Sequence, residues 1–383
     1  MAAGNGDLGP SPEVAIIGGG IIGCALAYEL ARNGVSVTVI ERGVVGREAS
    51  GASAGIISPP SSTDTPRAKA ELTADSILAY PKFIERIEDG TGSRCGFLLR
   101  GELTVALTEE EADGLKELAD WQEGLGFHVE WLDGPAARSL EPILPERVLG
   151  GVLVREAASV FSYELTRITA LAAQRLGARI IEHTPALGVA FEHGRAVGVR
   201  LQDGILPAGQ VVLAAGAWTA QLSADLPIPV PTVPSKGQLI AIAGAPLMPR
   251  RILGGYGGGH IVPRTDGTVA VGATKERVGF DKRVVARNSR WCLDLAAKLA
   301  PSLLDGEVTS MWTGLRPGTP DDQPIMGRMP GYDRLWVASG HYHTGIQMAV
   351  ITADLMASSI LMGSPDPRLQ SFSPARFGGR DLR

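Results

Sequence analysis

The stretch Val14–Glu41, VAIIGGGIIGCALAYELARNGVSVTVIE, decides the fold. Val14-Ala-Ile-Ile17 is a short apolar run of the buried-strand type. Gly18, Gly20 and Gly23 follow at G-x-G-x-x-G spacing. Ile22, Leu26 and Leu30 recur at i, i+4 and i+8, one face of a helix, while Gly23 and Ala27 keep an adjacent strip small. Gly34 ends the predicted helix, and Val35, Val37 and Val39 alternate as a second strand that stops at Glu41. Gly18 allows a tight turn out of the strand, Gly20 lets the backbone approach a pyrophosphate, and Gly23 lets the helix lie close on the sheet. Ile21 and Ile22 stand at the helix start, where free N–H groups and the positive dipole end favour phosphate. Glu41, eighteen residues after Gly23, is placed to accept hydrogen bonds from ribose hydroxyls. Strand, helix and acid in this order predict a dinucleotide-binding βαβ unit. The motif alone does not choose between a nicotinamide and a flavin dinucleotide.

Composition narrows the remaining classes. The chain has 383 residues, 44% hydrophobic and 20% charged, which fits an ordinary globular protein with two or more structural units. A net charge of -5 favours neither nucleic acid nor an anionic membrane surface as a partner. Cys24, Cys95 and Cys292 are far apart and odd in number, so neither a disulfide framework nor a zinc site is expected, and a reducing, cytoplasmic setting fits. No apolar run of about 18 residues exists, so no membrane span is expected. Met1–Pro12 lacks the features of a signal peptide and reads as a disordered lead-in. The tail Gly363–Arg383, with several prolines and arginines, is expected to drape over the surface.

After the first unit come Gly43–Pro60, a loop of small residues that includes Glu48-Ala-Ser-Gly-Ala-Ser-Ala-Gly-Ile-Ile57. Ala49, Ser50, Ala54, Gly55 and Ile56 suit a backbone lying against a flat ring system, although a flexible linker has the same composition. Val211–Gly216 is another buried strand ending in glycine. Leu335–Gly345, LWVASGHYHTG, is a strand and glycine-bearing loop, followed by a helical pattern at Ile346, Ala349, Val350 and Ala353. A helix start there can stabilise negative charge on a reduced cofactor.

With these segments in view, the chain resembles the glycine oxidase and D-amino-acid oxidase family of flavoenzymes, and the glycine oxidase-like branch in particular. The similarity lies in Ala15–Glu41, Glu48–Ser58, Pro185–Val189, Val211–Trp218, Ile261–Asp281, Thr313–Gly327 and Ala338–Ala349. It implies an α/β and α+β fold, with a Rossmann-type FAD-binding domain and a substrate domain built on a large mixed β-sheet. The implied boundaries are 10–90, 150–225 and 318–372 for FAD, and 91–149 and 226–317 for substrate. Beside the residues already named, the implied cofactor set holds Arg42, Ala186, Gly216 and Arg316. It also holds the loop residues Gly340, His341, Tyr342, His343, Thr344, Gly345, Ile346 and Gln347. Covalent flavin attachment needs a cysteine near Arg316; none is there, so FAD is expected to be non-covalent.

The resemblance implies oxidation of a C–N bond beside a carboxylate: a hydride passes to flavin N5, the imine is hydrolysed, and oxygen takes the electrons to give hydrogen peroxide. Arg316, in Gly314-Leu-Arg-Pro-Gly318, matches the carboxylate-binding arginine, whose planar fork can make two parallel hydrogen bonds. Three neighbouring positions depart from the pattern. His260 stands where an aromatic hydroxyl is usual, Lys275 replaces an apolar residue, and His343 replaces a second arginine. His260 and His343 read either as substrate contacts or as a strand-end and a loop residue. Lys275 reads as a solvated strand end or a pocket residue. Gly254–His260, with Tyr256 as its anchor, is a mobile lid or a plain hairpin. His341 and His343 form an H-x-H without a third ligand, so no metal is expected.

These departures favour an N-substituted glycine over free glycine, with sarcosine also in the class. The expected partners are a small amino acid and molecular oxygen, and a homo-oligomer is left open. Two alternatives stay beside this expectation. One is a D-amino-acid oxidase or an amine dehydrogenase using another acceptor. The other is a non-catalytic flavin-binding partner protein.

Overall fold

The computed structural model describes residues 9–378. Its first layer is a six-stranded sheet in the order Ile325–Arg328, Leu335–Ser339, Gln210–Leu213, Val14–Ile17, Val37–Ile40, Arg179–Ile181. All neighbours are parallel except the first pair. The quoted stretch forms the predicted unit, with its helix at Ile21–Arg32. The second strand is buried at every position of Val37–Ile40, so the expected alternation gives way to a strand covered on both faces. Helices Ile21–Arg32, Ser162–Arg175 and Ala349–Met362 pack together on one face. The long helix Arg67–Thr91 leans on the latter two and brings Tyr80 and Phe83 into edge-to-face contact. A three-stranded meander, Gly188–Glu192, Arg195–Leu201 and Gly204–Pro207, joins a separate apolar cluster with Leu213, Val337 and Phe377.

The second layer is an eight-stranded mixed sheet: Glu307–Gly318, Val233–Ala243, Val269–Gly272, His260–Pro263, Ile252–Gly255, Glu102–Ala106, Gly150–Val154, Val129–Asp133. Only Ile252–Gly255 and Glu102–Ala106 run parallel. Strand alternation splits its two faces. Leu103, Val105, Ile240, Ile242, Ile261 and Val271 pack beneath helix Ala286–Leu299. Their sequence neighbours Glu102, Thr104, Leu239, His260 and Gly272 face a cavity.

Two expectations need correction. Gly150–Val154 pairs with Glu102–Ala106 and Val129–Asp133, so it belongs to the eight-stranded sheet and the boundary at 150 falls one strand too early. The tail does not merely drape. Two short 3-10 helices, Pro367–Phe372 and Pro374–Phe377, bury Leu369, Phe372 and Phe377, and Arg376 grips Asp321 and the Pro324 carbonyl. Of the expected disordered lead-in, residues 1–8 lie outside the described residues, as do 379–383 of the tail. Pro10 and Pro12 accept hydrogen bonds from Arg179 and Gly209.

Candidate active site

A single cavity of about 1290 Å³ runs between the two sheets. A drug-sized ligand needs about 300–1,000 Å³, so there is room for a larger group and a small substrate together. At one end the turn after Val14–Ile17 forms a cradle. Gly18 has φ +118, and a Cβ there would lie 2.4 Å from the Ala214 carbonyl oxygen. A Cβ on Gly23 would lie 2.0 Å from the Gly18 carbonyl oxygen, so this glycine packs the helix against the turn and does not reach the cavity wall. Gly18, Gly20, Ile21, Ile22, Glu41 and Arg42 do line the wall. Glu41 accepts hydrogen bonds from the Gly19 and Gly43 N–H groups, at 2.8 Å each, which fixes the turn. The Ile21 N–H donates to Ser50 Oγ at 2.9 Å, tying the small-residue loop to the helix start.

That loop is a wall and not a linker. Ala49, Ser50, Ala54 and Ile56 line the cavity, as do Ala186 and Gly216. Gly55 does not: a Cβ there would meet the Val160 carbonyl oxygen at 1.8 Å, so its smallness serves packing. Gly340 is a similar case, since a Cβ there would lie 2.5 Å from Thr319 Cγ2. His341 is 1% exposed and its Nε2 lies 3.0 Å from Thr352 Oγ1, so its ring braces the following helix although the residue borders the cavity. Burial and then Lys69 pull its pKa down to about 3. Tyr342, His343, Thr344, Gly345, Ile346 and Gln347 complete this part of the wall, and Gln347 donates to the Ser58 carbonyl at 2.7 Å.

At the other end stands Arg316, on strand Glu307–Gly318. Its guanidinium lies over Gly237, where a Cβ would be 2.5 Å away, and its Nη1 donates to the Thr274 carbonyl at 3.0 Å. Among the described residues it has no carboxylate partner. Burial holds its pKa below the usual arginine value, against a weaker opposing pull from Tyr342. Lys275 and Tyr256 also reach the cavity, both exposed; Lys275 Nζ stands 5.7 Å from the centroid of the Tyr342 ring. Tyr256 tops a hairpin between Ile252–Gly255 and His260–Pro263 and rests on Gly114 of the helix Glu109–Glu123. The ring of His343 is open to the cavity though deep in the molecule. Burial first, then Lys69, Lys275, Arg316 and His260, lower its pKa to about 3, which keeps it neutral near pH 7.

Sequence reasoning missed two charged groups on this wall. Glu102 is buried and meets His260 Nε2 at 3.3 Å and Thr104 Oγ1 at 3.3 Å, with a short bond from Ser58 Oγ. Burial works to raise its pKa, but these donors outweigh it and hold the carboxyl below its usual range. Lys69 is 4% exposed and its Nζ donates to the Asp322 carbonyl at 2.7 Å. Burial lowers its pKa, opposed by Asp322 and Asp321. Lys69 starts the buried stripe Lys69, Thr73, Ile77, Tyr80 and Ile84, but a lysine at the first position of such a stripe reads as its solvent end. Cys24, Cys95 and Cys292 are all buried and none borders the cavity. Among the described residues no group of three or more His, Cys, Asp or Glu could hold a metal ion.

The sequence profile of the FAD-dependent oxidoreductases matches residues 13–359. The chain belongs to that family. FAD is therefore its cofactor, and the side-chain-free cradle and the length of the cavity fit such a group. The solved glycine oxidase of Geobacillus kaustophilus is similar at 32% identity and TM-score 0.90, covering 96% of this chain and 99% of that one. The solved iminodiacetate oxidase of Chelativorans sp. BNC1 is 28% identical with TM-score 0.86, covering 94% and 98%. The bifunctional ThiO/ThiG protein of Trichormus variabilis is 35% identical over 95% of this chain, but the chain spans only 55% of that relative's length. No helix among the described residues is long and apolar enough to cross a membrane.

Proposed function

We propose that this chain oxidises the C–N bond of a glycine-type amino acid, with an N-substituted glycine preferred over free glycine. The carrying observation is Arg316, a half-buried guanidinium without a carboxylate partner among the described residues, on the wall of the cavity that begins at the dinucleotide cradle. A partly buried cation of this kind is costly unless a ligand supplies the anion. The resemblance to a glycine oxidase and to an iminodiacetate oxidase supports the same substrate class.

Gly18, Gly20, Ile21 and Ile22 would hold the pyrophosphate of FAD. Glu41 would take the ribose, since each carboxylate oxygen keeps an acceptor site beyond its backbone bond. FAD held there would supply a two-electron acceptor for the hydride leaving the substrate carbon, with oxygen as the final acceptor giving hydrogen peroxide and water hydrolysing the imine. The cavity holds no cysteine, which supports non-covalent binding. Arg316 fixes the substrate carboxylate and so orients the carbon to be oxidised. Neutral His343 adds no second charge where the family pattern has an arginine, and leaves space beside the nitrogen. His260 is held by Glu102 through Nε2, so its Nδ1 is the nitrogen left for the substrate side. Three free thiols suit a reducing, cytoplasmic compartment.

The test is anaerobic mixing of the yellow holoprotein with glycine, sarcosine, longer N-alkylglycines and D-alanine, following flavin absorbance near about 450 nm. Faster bleaching by the N-substituted glycines than by glycine is expected, with one peroxide per amine when oxygen is admitted. Best turnover of glycine or D-alanine would sink the preference, and substrate loss without peroxide would point to another acceptor.

A further inference from the structure

Resting on the function proposed above, we propose that the substituent on the substrate nitrogen carries its own carboxylate, held by Lys275 with Lys69 close by. The substrate class is then an N-(carboxyalkyl)glycine, of which iminodiacetate is the smallest member.

Arg316 accounts for one carboxylate only. Lys275 follows Thr274, whose carbonyl accepts from Arg316 Nη1, so that hydrogen bond brings Arg316, on strand Glu307–Gly318, beside the segment that carries Lys275. Lys275 Nζ stands over the Tyr342 ring, and that ring is 4.8 Å from the ring of His343. Among the described residues Lys275 has neither a hydrogen bond nor an ion pair. The adjacent Glu276 does not serve it, being taken by Lys236, Arg287 and Asn288. Lys69 is buried on the same wall with a backbone carbonyl as its acceptor, and the nearby Asp321 is occupied by Arg376. On the wall, Glu102 already has His260, Ser58 and Thr104. Lys69 also has the Asp322 carboxylate on this wall, so Arg316 and Lys275 are left as the two cations beside His343 that no carboxylate among the described residues pairs, a local positive charge. Glycine and sarcosine are zwitterions with no net charge to match it. An imino diacid near neutral pH carries a net negative charge and does match.

The chemistry balances for iminodiacetate. Loss of a C–H hydride and an N–H proton gives the imine, and water cleaves it to glycine and glyoxylate. Oxygen takes the two electrons and two protons to become hydrogen peroxide. The molecule is symmetric, so whichever arm Arg316 clamps, the carbon beside that carboxylate is oxidisable and the other arm reaches for Lys275.

The experiment compares kcat/KM of the holoenzyme for iminodiacetate and sarcosine. In parallel, thiodiacetate and (methylthio)acetate, which have no nitrogen to oxidise, are titrated against the flavin spectrum. A charged hydrogen bond predicts a preference for the diacid of roughly 10–100-fold in both measurements. Lys275→Met is expected to bring both ratios toward one, with the loss carried by KM, and Lys275→Arg to keep most of the preference. Lys69→Met is expected to lower the ratios by a smaller factor. Equal or better turnover of sarcosine, or ratios that survive in both methionine variants, would overturn the inference and leave the oxidase assignment intact. No bleaching by iminodiacetate, sarcosine or glycine would defeat that assignment itself. Thiodiacetate binding no tighter than (methylthio)acetate in the unaltered protein would overturn the inference even if a variant failed to fold.

Discussion

Arg316 carries opposite signs for stability and for activity. Its partial burial without a carboxylate costs folding free energy, while its fork is the proposed anchor for substrate. Arg316→Met should therefore lower kcat/KM roughly 100-fold, the loss of about 3 kcal/mol of charged hydrogen bonding, with Tm unchanged or higher. Arg316→Lys should recover only part, because a point charge does not replace a planar fork. A fall in Tm with kcat/KM intact would reject this assignment. Arg316 was legible in the sequence through Gly314-Leu-Arg-Pro-Gly318, a local pattern. Lys69 and Glu102 were not, for a physical reason. A lysine near a helix start and a glutamate alternating with Leu103 and Val105 both read as solvent-facing. The opposing sheet and helix that bury them come from distant parts of the chain, and no local period reports that.

At the scale of the element, the glycine-rich turn was readable because three functions require three glycines at fixed spacing. The same residue type misled in Gly55 and Gly340, where backbone and side-chain contacts, not a cofactor, demand the missing Cβ. Gly150–Val154 misled differently. Val152 and Val154 join one core cluster and Leu153 another, so a strand of the second sheet shows the continuous apolar run typical of the first. The tail was read by composition, yet its two 3-10 helices bury Phe372 completely. Phe372→Ala should cost about 3–5 kcal/mol in urea denaturation. A cost under about 0.5 kcal/mol, the level of a surface substitution, would restore the draped tail.

The molecule as a whole buries several ionisable groups around its cavity. This shapes stability against pH. His341 is folded with a pKa near 3 and unfolds to the ordinary value of about 6.5. Below about 6.5 the unfolded chain takes up a proton that the folded chain refuses, so stability falls with falling pH at about 1.4 kcal/mol per unit for this one group. The carboxyls of Glu102, Glu276 and Asp321 are held low, and their contribution is lost only below about 4.5. Between those limits the carboxyls drop out, and His343, also lowered to about 3, cancels when the protein is compared with a variant that lacks only His341. The advantage of the natural protein over His341→Gln in urea denaturation should shrink steadily from pH 6.5 to 4.5, and a constant difference would show that His341 is not refused its proton.

The three buried cysteines bear on the by-product of the proposed reaction. Burial raises all three thiols, with Glu41 and Glu182 adding to Cys24 and Glu88 to Cys95, which reaches about 12; Cys292 reaches about 11. Peroxide attacks the thiolate and not the thiol. In the proposed oxidase reaction peroxide would arise in a cavity that none of these sulfhydryls borders, and burial keeps them protonated, a built-in tolerance of that oxidant.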